Sequence, residues 1–224
     1  PQKFFKENPE IQISITMFRL FLALVLLHQV LASCTIGHET DPRGKAKASD
    51  GYNDNAQCTE AIRNHVKMEF EASLQYMLMA VHFAQDTVSL EGFAQMFFTS
   101  ADEERQHGIK FLDYLKMRGD EQVDIGIDSL APILGKDTWT DGNEALRDAL
   151  DMEKAVSRAV QELIKKCEPV GDYYSADYLT GEWLMEQLVG QRDLAGKINT
   201  LSNFRRNNAH LADWMFSNEL MNKV

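Results

Sequence analysis

Four stretches of this chain repeat apolar residues every three or four positions for 26–29 residues each, and elements that long leave few folds open. The first covers residues 56–83, with Ile62, Val66, Phe70, Leu74, Met77 and Val81 along one stripe. The second covers 90–117, through Phe93, Phe97, Ile109 and Leu112, and stops at Gly119. The third covers 141–166, through Leu146, Leu150, Val156, Val160 and Leu163, with Asp141 as its N-cap and Pro169-Val170-Gly171 closing it. The fourth covers 173–201, and a shorter amphipathic segment, 208–220, finishes the chain. At 1.5 Å per residue each long helix measures about 40 Å, which suits a four-helix bundle.

The links decide the topology. Short links join the first helix to the second and the third to the fourth, so each pair is expected to be antiparallel neighbours. The middle link, 118–140, has 23 residues, long for a structureless loop and long enough to travel the length of the bundle. The expected fold is all-α: an up-down-down-up four-helix bundle with one long crossover and a short fifth C-terminal helix. There the start of the first helix and the end of the third share one end, so Cys58 and Cys167 can meet as an internal disulfide.

Ahead of the helices, residues 1–16 lack Met and lead to Met17. From there Arg19, an apolar run over 21–27 and the small Ala32 and Ser33 follow the order of a secretory signal peptide. The run is shorter than the roughly 20 residues of a spanning helix. Residues 1–16 are accordingly read as translated upstream sequence, 17–33 as a signal peptide cleaved near Ser33–Cys34, 34–55 as an extended arm, and 56–224 as one helical domain of the secretory lumen or beyond. Leu31-Ala32-Ser33-Cys34 is also similar to the lipid-attachment motif of bacterial lipoproteins. Without 1–33 the chain keeps 20 basic and 32 acidic side chains, a net charge of −12. Such a surface repels nucleic acid and anionic membrane and gathers cations. An odd cysteine count in a secreted chain leaves one, here Cys34, for a bond to another chain.

Chemistry enters at mid-height. In "SADEERQHGIKF" Glu104 precedes His107 by three residues, which puts both on one helical face. Alone, the pair fits a solvated face as well as a metal site. Glu69, Glu153 and the pair Glu186-Gln187, however, fall near the middles of the other three helices, so all share one level of the bundle. Burying carboxylates there costs several kcal/mol each unless cations offset it. Oxygen ligands with a single imidazole suit iron, manganese or zinc. Tyr76 lies two turns after Glu69 on the same face, whereas His65, one turn before it, reads as a solvated or capping histidine.

The segments "KMEFEASLQYMLMAVHF", "FFTSADEERQHGIKFLDYLKMRG", "ALDMEKAVSRAVQEL" and "YLTGEWLMEQLVGQRDLAGKINTL" resemble the ferritin family, specifically secreted insect-type heavy subunits, over 58–220. The resemblance implies a 24-subunit shell that oxidises Fe(II) with O2 at an intrasubunit di-iron centre and stores ferric mineral. It implies Glu69, Glu104 and His107 at the first iron and Glu104 and Glu153 at the second, with Glu104 bridging. Gln187 matches the glutamine beside the bound oxygen species and Tyr76 the tyrosine beside the centre. Asp177 matches one acidic position of the family's three-fold inlet channel, while Thr180 stands where a glutamate is usual. Gln106 and Ile109 occupy two places where vertebrate heavy chains carry mineral-seeding glutamates, which points to a light-type partner in a mixed shell. Cys34 would tie to that partner. A shell subunit without ferroxidase activity would show replaced mid-height ligands. A rubrerythrin-like bundle would need a second Glu-x-x-His in "GEWLMEQL", and a cytokine-like bundle would carry two crossovers.

Overall fold

The computed structural model describes residues 56–120, 126–206 and 208–222; the expected signal peptide, the expected arm and Cys34 lie outside the described residues. Helix α1 spans Ala56–Ala84, α2 Glu91–Met117 and α3 Gly142–Cys167. Helix α4, Tyr173–Tyr178, runs through a π-helical turn, Leu179–Trp183, into α5, Leu184–Phe204, and α6 is Ala209–Met221. No strand is present among the described residues. The expected fourth helix is therefore two α-helical parts around a π turn, which the apolar spacing did not signal.

Side-chain caps set the helix starts. Asp141 accepts a hydrogen bond from Glu144 N at 2.8 Å, Asp172 from Ser175 N at 3.2 Å and Asn208 from Leu211 N at 3.1 Å. Three contacts then fix the topology. Cys58, at the start of α1, is bonded to Cys167, at the end of α3, so these helices run antiparallel. The ring of Phe93 packs on Gly142, so α2 and α3 start at the same end. The Arg118 guanidinium, at the end of α2, donates to both oxygens of Asp172, just before α4. That is the up-down-down-up order expected from the link lengths.

The crossover climbs along α1. Arg63 holds Asp120 through two hydrogen bonds of 2.8 and 2.6 Å, and Lys67 Nζ donates to Ser129 Oγ at 2.9 Å. The fully buried Gln75 accepts from Leu134 N at 3.0 Å and donates to Lys136 O at 2.7 Å. Finally Trp139 meets the His82 ring edge-on at 5.5 Å. The link's described contacts thus run along α1 from Arg63 to His82.

The apolar core falls into two clusters. One surrounds Tyr76, Phe83, Phe93, Phe97, Leu146 and Met152 and takes in Phe216 of α6. The other surrounds Ile62, Val66, Phe111, Leu163, Leu179 and Trp183. The stripe expected on α1 is partly corrected: Met77 and Val81 are exposed at 45% and 48%, while Met79, Ala80 and Phe83 face the core. Helix α6 is seated on α2 at Gly92, whose N–H donates to Ser217 Oγ at 2.9 Å. A Cβ on Gly92 would lie 1.8 Å from the Ser217 carbonyl oxygen, which only the absence of a side chain allows. Gly92→Ala should therefore unseat α6 and destabilise the chain by about 1–3 kcal/mol or more, measured as a lower calorimetric melting temperature.

Candidate metal centre

Between the two apolar clusters lies a polar layer. Helix α1 contributes Glu69, α2 contributes Glu104 and His107, α3 contributes Glu153 and α5 contributes Gln187, all buried. One ligand atom each from Glu69, Glu104 and His107 lie within 4.8 Å of one another. His107 Nδ1 is 3.3 Å from Glu104 Oε2 and 4.0 Å from Glu69 Oε2, while its Nε2 is 3.1 Å from Glu186 Oε1. The hydroxyl of Tyr76 donates to Glu153 Oε1 at 2.5 Å. An open cleft of about 700 Å³ reaches this layer between α2 and α5, with Glu103, Glu186 and Gln187 among its walls.

The electrostatics describe a site built for a positive charge. Both oxygens of Glu69 are buried without an aligned hydrogen-bond donor, a costly state for a carboxylate that has no cation beside it. Desolvation raises Glu69 and Glu153 to about 7 and Glu104 to about 8. For Glu153 the neighbouring Glu104 charge adds to the rise, against the hydrogen bonds of Tyr76 and Gln187. Burial alone would lower His107, but the hydrogen bond to Glu104 and the charges of Glu104, Glu69 and Glu186 outweigh it and carry the imidazole up to about 9. Oxygen donors around one imidazole match a hard or borderline cation such as iron, manganese or zinc.

Glu69, Glu104 and His107 thus come together as the sequence indicated, with Glu153 tied to the same layer through Tyr76. Gln187 is buried with its Oε1 unpartnered. Asp177 and Thr180 are exposed and lie outside the cleft lining, and the Thr180 hydroxyl is spent on its own helix, donating to Ala176 O at 2.7 Å.

Two neighbours were not read correctly from the sequence. His65 is not solvated: it is 4% exposed, its Nε2 lies 2.8 Å from Glu69 Oε1, and burial depresses it to about 4, so it is neutral. Its spacing of four residues before Glu69 was the available signal. Trp183, placed by the π turn, stacks on Phe111 with centroids 3.9 Å apart and meets the His107 ring edge-on at 5.2 Å. Nothing in the apolar periodicity marks that turn.

A ferritin-like domain profile matches residues 59–204. The chain is 45% identical over 167 residues to a protein named ferritin heavy chain from Drosophila melanogaster, covering 73% of this chain and 80% of that one. A Trichoplusia ni protein of the same name is 42% identical over 169 residues, covering 73% and 79%. The crystal structure of Trichoplusia ni secreted ferritin superposes with a TM-score of 0.73 at 37% identity, covering 84% of this chain and 97% of that chain.

Metal binding at this centre should be proton-coupled. Glu69, Glu104 and Glu153 hold protons up to about 7–8, and a cation binds only their ionised forms. His107, held up to about 9, must also lose its proton to ligate, so Zn2+ affinity should rise between about pH 6 and about pH 9, with protons released on binding. Calorimetry in two buffers of different ionisation enthalpy measures that release. A pH-independent affinity would contradict it.

Proposed function

The chain belongs to the ferritin family, and from that membership we propose that it is an iron-storage subunit that oxidises Fe(II) with O2 at a di-iron centre inside its own bundle. The observation that carries this reading is the buried Glu69–Glu104–His107 cluster, in which neither Glu69 oxygen has an aligned hydrogen-bond donor. Fe(II) is the substrate. Glu69 and His107 would hold one iron and Glu153 the other, with Glu104 between them. Carboxylates favour the higher ferric charge, and two adjacent Fe(II) ions can give O2 two electrons in one encounter. Tyr76 fixes Glu153 through its short hydrogen bond, and Gln187 offers a buried amide beside the same carboxylate. The cleft between α2 and α5 gives the ferric product a way out past Glu103 and Glu186.

We propose further that the product is stored as mineral in a 24-subunit shell. Exposed apolar side chains support assembly: Met77 and Val81 on α1, and Leu211, Trp214 and Met215 on α6, are each 45–57% exposed. Gln106 is exposed and Ile109 half-buried where seeding glutamates would stand, which fits a mixed shell with a light-type chain linked through Cys34. Secretion, led by a signal peptide at 17–33, fits the Cys58–Cys167 disulfide and the likeness to a secreted ferritin.

The purified mature protein should oxidise Fe(II) rapidly under air, followed by optical absorbance. A Glu69→Ala/His107→Ala double variant, equally well assembled, should fall to the rate of buffer alone. Equal rates would leave this chain as a shell component whose carboxylates serve another purpose.

A further inference from the structure

His65 and Glu69 stand one turn apart on α1, where helical geometry stacks their side chains. Both are buried, at 4% and 0% exposure. His65 Nε2 lies 2.8 Å from Glu69 Oε1, off the line of a hydrogen bond, and neither atom has a hydrogen-bond partner. The other oxygen, Oε2, faces His107 Nδ1 at 4.0 Å. The His65 ring is wedged edge-on against Phe111 at 4.8 Å; Phe111 stacks on Trp183, which in turn meets the His107 ring. One aromatic pair therefore restrains both imidazoles. His65 itself is not among the three residues whose ligand atoms converge.

We propose that His65 is a positioning residue for Glu69: a small rotation aligns its Nε2–H with the Oε1 that already lies 2.8 Å away, so that Oε2 alone is presented beside Glu104 and His107. A buried carboxylate with both oxygens free can bind a metal through one or through both. Tying one oxygen removes that choice and fixes where the first ion sits. Partners of this kind typically contribute about 10–100-fold in metal affinity. The proposal rests on the metal-centre reading above.

Co2+ titration of the assembled, metal-free protein, followed by visible absorption, tests it. His65→Leu should weaken binding about tenfold or more, and His65→Gln, whose carboxamide can donate to the same oxygen, should stay within about threefold of the parent. The Co2+ band shape should be the same in all three, because the number of nitrogen ligands is unchanged. Glutamine keeps a donor and much of the volume, so a tenfold loss in that variant overturns the proposal even if the leucine variant fails to assemble. Parent-like affinity in His65→Leu also overturns it, and so does a changed band that glutamine does not restore, which would make His65 a ligand. A parent that binds no Co2+ would remove the metal-centre reading, and this proposal with it.

Discussion

Carboxylates buried at the middle of a helical bundle repel one another and resist desolvation, and the rest of this structure depends on how that strain is contained. Glu69, Glu104 and Glu153 share one layer with two imidazoles, between two apolar clusters that exclude water above and below. The clusters hold the helices together while the layer between them holds them at a spacing suited to an ion. Without a cation, the layer keeps protons that ordinary carboxylates would have released. A cation there would take the same groups as ligands and recover the energy of burial as affinity.

The surrounding architecture serves that layer by limiting how far the helices can move apart. The Cys58–Cys167 disulfide closes a 109-residue separation at one end of α1 and α3. Phe93 on Gly142 and Ser217 on Gly92 close the other end. The crossover, anchored to Arg63, Lys67 and Gln75, covers the flank of α1 between them. Helix α5 reaches the layer through the π turn that places Trp183 against His107. The π turn shifts the helical register by one residue where this helix enters the layer, a place such turns often occupy.

Much of this was legible in the residues. Apolar periodicity and link lengths fix the four helices and their order, because local propensity and tertiary packing agree there. The candidate site residues stood out because one polar group fell at half-height in every helix. What the periodicity could not separate was which residues of the stripe the chain itself buries: Met77 and Val81 continue the stripe of α1, yet lie exposed. The π turn and the burial of His65 were also beyond it. Both meet Phe111 of α2: the His65 ring lies edge-on to it, and Trp183 of the π turn stacks on it. The chain's first 55 residues were read from the order of basic, apolar and small residues alone.

The most direct test of this account is anomalous diffraction at the iron edge from crystals loaded with Fe(II) without oxygen. The account predicts two peaks inside each bundle, one among Glu69, Glu104 and His107, and one beside Glu153 sharing Glu104. Iron found only on outer or inner surfaces, with none in that layer, would contradict it.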